Sequence, residues 1–107
     1  MNAKVNLPWS EQYRIVAKQW VNAEAAASIL EETKSAQLAR LMLAQGDMPV
    51  SRAEMNVKAS EEWEAYLENM TKARAAASKL KVQLEYIRMK FMEWQSENAT
   101  KRAEMRL

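Results

Sequence analysis

Glycine occurs once in this chain of 107 residues, at Gly46, and proline twice, at Pro8 and Pro49. These two residue types stop helices most readily: glycine loses the most backbone freedom on ordering, and proline lacks the amide hydrogen. From Trp9 to Gln45, and again from Ser51 to the C-terminus, nothing forces the backbone out of a helix. Good helix formers (alanine, glutamate, lysine, leucine, methionine and glutamine) fill both stretches. The expectation is an all-α fold: a long antiparallel helical hairpin, about 9–45 and 52–105, in a single domain spanning 1–107. Its turn falls at about 46–50, inside "QGDMPV".

The helix ends carry local signals. Pro8 discourages helix before it, Ser10 is placed to cap, and Glu11 sits in the electropositive first turn. Gly46 suits a left-handed terminator. Beyond the turn, Ser51 and Glu54 have the spacing of a capping box, with Val50 and Met55 at the positions of a hydrophobic staple. Ser96, Asn98 and Thr100 are poorer helix formers, so a bend or fraying near residue 98 is expected.

In the second helix Met70, Ala73, Ala77, Leu80, Leu84, Ile87, Phe91 and Trp94 alternate spacings of three and four, a heptad seam. The segments "AEAAASIL" (23–30) and "ARAAASKL" (73–80) share one pattern, and their alanines let helix axes approach closely. With a tight turn, residues whose numbers sum to about 97 face each other: Leu30 meets Leu67, Ala27 meets Met70, and Trp9 meets Arg88. The second helix then overhangs beyond about 89, leaving roughly 25 Å without an intrachain partner. Two helices cannot enclose a core, so the expected remedy is a homo-oligomer, an oligomeric helical bundle or ring. Leu84, Ile87, Phe91 and Trp94 are the expected oligomer interface.

Catalysis has little to work with. The chain has no histidine and no cysteine, which removes the commonest general base and metal ligand and any thiolate site. No glycine-rich phosphate loop or H-E-x-x-H motif occurs. Glu31 and Glu32, and Glu61, Glu62 and Glu64, read as surface charge; Ser28 and Ser78 have no base beside them. A non-enzyme without metal or cofactor is expected. No apolar run approaches the roughly 18 residues of a membrane span, and no signal-peptide core precedes the first helix. That points to a soluble intracellular protein that does not enter a membrane.

The net charge of +2 is unevenly spread. Residues 61–71 hold four glutamates and no cation, whereas residues 72–107 hold nine cations against four anions. Such asymmetry suggests a polyanionic partner. Lys34, Arg40, Arg52 and Lys58 form a candidate nucleic-acid-binding patch around the hairpin tip. A second candidate patch is Lys72, Arg74, Lys79 and Lys81; pairing of Lys72 and Lys79 with Glu68 and other nearby anions is the competing reading. Repetition in an oligomer multiplies weak phosphate contacts. Because the seam occupies most aromatics, Trp9, Trp63 and Tyr86 remain as candidates for base stacking.

The order of features resembles a known family. A first helix ends in "KSAQLARLMLAQGD", a capped start "VSRAEM" follows, and a long second helix is apolar and aromatic late and basic at its end. Over roughly residues 30–107 this is similar to the UvsY-type recombination mediators of bacteriophages, with short matches such as "ARL" at 39–41 and "L-x-Y" at 84–86. The resemblance implies a small helical ring that binds single-stranded DNA and helps a recombinase or annealing protein displace the single-strand binding protein. That family carries a Lys-x-Arg pair near the end of its first helix; Arg40 matches its arginine, while Leu38 stands at the lysine position and Lys34 lies one turn back. The closing stretch also looks like those of small proteins from temperate-phage early regions.

The leading expectation is thus a phage accessory recombination protein, in the bacterial host cytoplasm, binding single-stranded DNA non-specifically. The alternative is a protein-interaction or scaffolding module without nucleic-acid affinity, docking a partner through its apolar C-terminal helix.

Overall fold

The computed structural model describes residues 7–106. It has four α-helices: α1 (Trp9–Glu32), α2 (Lys34–Ala44), α3 (Val50–Lys58) and α4 (Glu61–Met105), with no strand among the described residues. The class is all-α, as the scarcity of glycine and proline implies. The division into two helices is corrected, because each expected helix is interrupted once, at Thr33 and at Ala59–Ser60. At 45 residues, α4 extends about 67 Å. The described residues form two compact units, Asn22–Ala77 and the remainder, 7–21 with 78–106.

Within the unit Asn22–Ala77, both interruptions have side-chain causes. The Thr33 hydroxyl donates to the Ile29 carbonyl at 2.7 Å and lies 3.1 Å from the Tyr66 hydroxyl. Tyr66 in turn donates to the Leu30 carbonyl. The Leu30 carbonyl at the end of α1 is thereby satisfied by a tyrosine from α4, and the chain restarts as α2. On the other strand of helix, the Ser60 hydroxyl donates to Val57 O at 2.6 Å and accepts from the Trp63 amide at 3.2 Å. Ser60 therefore caps α4, and Glu61, Glu62 and Glu64 fill its electropositive first turn.

The turn between α2 and α3 uses Gly46 at φ +92°, the left-handed position that follows a helix C-terminus. The capping box at Ser51 does not form. Helix α3 begins at Val50 with Pro49 as its cap residue and no side-chain cap, so Ser51 lies inside the first turn. Val50 and Met55 are exposed, and the staple is absent for the same reason. Ser10 likewise sits inside α1; the Pro8 carbonyl accepts from the Glu11 and Gln12 amides at 3.0 Å each.

Small side chains make up most of the buried set of this unit: Ala27, Ala53, Ala77, Val57 and the larger Trp63. Polar pins supplement them. The Arg74 guanidinium on α4 bridges Glu24 (2.7 Å) and Glu31 (2.9 and 2.6 Å), both on α1. Leu30–Tyr66 and Glu24–Arg74 both obey the pairing register expected from the sequence.

In the other unit, Val16 of α1 packs with Leu84 and Ile87 of α4, flanked by Trp9, Ala17, Trp20 and Leu80. Phe91 is half-buried beside Trp9 and Tyr13. From Met92 to Arg106 every residue except Asn98 is exposed, so the free arm begins near Met92 rather than at 89. The helix passes Ser96, Asn98 and Thr100 without interruption. There the Thr100 hydroxyl back-bonds to Ser96 O at 3.0 Å, and Arg102 Nε to Asn98 O at 3.3 Å.

Two measurements check these restraints. Ser60→Ala removes the α4 cap and Tyr66→Phe removes the bond to Leu30 O; each is expected to cost about 1 kcal/mol in urea unfolding followed by circular dichroism. Thr33→Val combined with Tyr66→Phe should be non-additive, because the two hydroxyls lie 3.1 Å apart and bond to adjacent carbonyls.

The Arg74 bridge also makes a pH-dependent contribution. Hydrogen bonding from Arg74 holds the Glu31 carboxyl below the ordinary carboxylate range, and Glu31 and Glu24 raise the Arg74 guanidinium. A folded-state value depressed in this way contributes stability at neutral pH, lost as pH falls below about 4. Arg74→Met should therefore melt at lower temperature than the parent at pH 7, with the two curves converging in acid; Glu31→Gln should flatten the same limb.

Candidate functional site

The four tip residues Lys34, Arg40, Arg52 and Lys58 are all exposed, the first two on α2 and the others on α3, which packs against α2. They are not gathered onto one face. Lys34 and Arg40 are six residues apart, as are Arg52 and Lys58, and six residues turn a helix by about 120° from alignment. Arg52 and Lys58 leave α3 on opposite flanks of its buried Ala53 and Val57. Lys58 is also paired with Glu54 at 2.8 Å.

The second patch loses its arginine. Arg74 is engaged by Glu24 and Glu31. Lys72, two residues away on the same helix, projects about 160° from Arg74 and is exposed. Lys79 and Lys81 are exposed and diverge in the same way. Among the described residues, no ion pair joins Lys72 or Lys79 to Glu68.

Leu84 and Ile87, expected at an oligomer interface, are corrected to intrachain core. They are 8% and 4% exposed, because α1 starts early enough at Trp9 to cover them through Val16. Phe91 is divided between that core edge and a cleft, and it stacks on Trp94 with ring centroids 6.0 Å apart. Only Trp94 of the four is substantially exposed. Among the aromatics expected to be free for stacking, Trp63 is buried and stacked on Tyr66 at 5.6 Å. Trp9 and Tyr86 remain accessible, Trp9 in part and Tyr86 more fully.

Two open clefts lie side by side in the unit that holds Val16. The larger, about 370 Å³, is lined by Trp9, Ser10, Tyr13, Ile87, Arg88 and Phe91. The smaller, about 180 Å³, is lined by Tyr13, Trp20, Lys81, Leu84, Glu85 and Arg88. Tyr13 and Arg88 belong to both. Aromatic faces with a guanidinium between them can hold a flat π-system and a neighbouring anion at once. Glu85 at the rim of the smaller cleft works against an anion there, which leaves the larger cleft as the better seat.

Tyr13, Trp20 and Arg88 did not figure among the expected site residues. A signal for them exists in the sequence: Trp9, Tyr13 and Trp20 are spaced by four and seven, so a single face of α1 carries three large aromatics. Arg88 neighbours the seam residue Ile87 and reaches the same groove.

Among the described residues no cluster of acidic side chains is arranged to hold a metal ion, and no helix is long and apolar enough to cross a membrane. In comparisons with known proteins, no family model, no curated protein and no solved structure matches this chain.

Proposed function

We propose that this chain is a non-catalytic, self-associating helical protein that binds single-stranded nucleic acid without sequence preference. The observation that carries the reading is the pair of clefts sharing Tyr13 and Arg88, with Trp9, Trp20 and Phe91 around them. A nucleobase has a π-face that stacks on such rings whatever its identity, and the adjoining phosphate is drawn to Arg88. The binding surface thus moves from the hairpin tip to the groove between α1 and α4, with Lys34, Arg40, Arg52, Lys58 and Lys72 as peripheral phosphate contacts. The resemblance to UvsY-type mediators supports a role beside a recombinase, annealing protein or single-strand binding protein, in the cytoplasm of a phage-infected bacterium.

A second reading, a protein-interaction or scaffolding module, is favoured by the exposed arm with Met92, Trp94 and Met105. Fluorescence anisotropy with an oligo-dT probe separates the two. Binding at low salt that weakens steeply as salt rises is expected of the nucleic-acid reading. Tyr13→Ala should weaken it about fivefold or more, the lower end of what one stacked base contributes. Arg88→Ala should reduce the salt slope by about 1, and Arg40→Ala with Lys58→Ala should matter less than either. Absence of binding at low salt, or affinity indifferent to salt, sinks the proposal and leaves the interaction module.

A further inference from the structure

Helix α4 is apolar on two opposite faces over residues 80–91. Leu80, Leu84, Ile87 and Phe91 turn toward α1, where Leu84 and Ile87 are buried. Val82, Tyr86 and Met89, spaced by four and three, lie about 180° away and are 64%, 56% and 65% exposed. A single neighbouring helix covers one face only, so the outer stripe has no partner among the described residues.

We infer that this outer stripe seats a second copy of the chain, with the two α4 helices antiparallel about a two-fold axis at Tyr86. Charge placement selects this occupant. Lys79 and Glu93 flank the stripe seven residues to either side of Tyr86. An antiparallel copy brings each Lys79 beside the Glu93 of its partner, twice by symmetry. A parallel copy sets Lys79 on Lys79 and Glu93 on Glu93, which repels. Antiparallel pairing also lays Val82 against Met89 and one Tyr86 ring beside the other, an aromatic contact at the centre of the seam. Ser78 and Ser96 lie farther out on the same stripe and are small enough to let the axes close. In the single chain Lys90 lies 5.8 Å from the Tyr86 ring centroid and pairs with Glu93 at 3.3 Å. That pair is exposed, so Glu93 can be shared with an incoming Lys79.

The seam from Lys79 to Glu93 is about 21 Å long, short for an obligate dimer, so the association is concentration-dependent. The inference rests on the self-association in the proposed function and is independent of nucleic acid.

Light scattering over a dilution series, without nucleic acid, tests it. The parent chain is expected to rise with concentration to twice the 12.3 kDa of one chain and no further. Val82→Glu and Tyr86→Glu, at exposed positions that leave the helical circular dichroism intact, should give monomers. Lys79→Glu alone and Glu93→Lys alone should each weaken association roughly five- to tenfold, and the two reversals together should restore it. A monomeric mass at every concentration, a mass above the dimer, an assembly indifferent to Val82→Glu, or association strengthened by Lys79→Glu each overturns it. Anisotropy of the monomeric variants is read separately, so loss of the dimer and loss of nucleic-acid binding are distinguishable.

Discussion

Val16 packed against Leu84 and Ile87 decides which side of α4 is spent inside the chain. Once those two side chains are buried, Leu80 and Phe91 follow on the same face, and Trp9, Tyr13 and Trp20 of α1 are left along the groove beside Arg88. The outer stripe and the free arm are the remainder. A buried valine and two buried aliphatic partners thus fix the aromatic clefts on one side of α4 and the uncovered Val82, Tyr86 and Met89 on the other.

The unit Asn22–Ala77 is held differently. Its buried residues are mostly alanine, which removes little apolar area from water compared with leucine or phenylalanine. Close approach of the helices is what alanine provides, and directed polar contacts then exploit that proximity. Tyr66 spans from α4 to the carbonyl of Leu30, and Arg74 spans to Glu24 and Glu31. Both contacts specify register, because a slide of one residue along the helix moves a donor about 1.5 Å from its acceptor.

The helical class and the pairing register were legible because they depend on residue usage and on chain geometry around Gly46. The interruptions were not, for two separate reasons. At Thr33 the break depends on a hydroxyl 33 residues away, which no local pattern encodes. At Ser60 the signal was local but ambiguous: a serine followed by Glu61, Glu62 and Glu64 is a helix start, yet it also reads as a run of surface charge within a longer helix. Ser51 offered the more familiar spacing and was bypassed, because α3 starts two residues earlier, with Pro49 as its cap residue. The candidate site suffered from α4 being apolar on both sides. Spacings of three and four fit 80–84–87–91 and 82–86–89 alike, and only the position of α1 tells which one is spent.

That two-sidedness bears on how the proposed binding and the proposed assembly coexist. The clefts open along the groove between α1 and α4, whereas the outer stripe faces away from α1. A second copy on the stripe therefore leaves Trp9, Tyr13 and Arg88 of both chains accessible. Under the proposed dimer and the proposed strand binding, two such sites on one particle raise the effective concentration of the second for a strand already held by the first. A modest stacking and phosphate contact per chain then suffices for useful affinity. Placement of the cations is consistent with this division: Lys81 and Arg88 line the clefts, while Lys79 flanks the stripe opposite Glu93. Aromatic and basic residues interleaved along α4 serve different surfaces, and their alternation follows from a helix that has to satisfy neighbours on two sides.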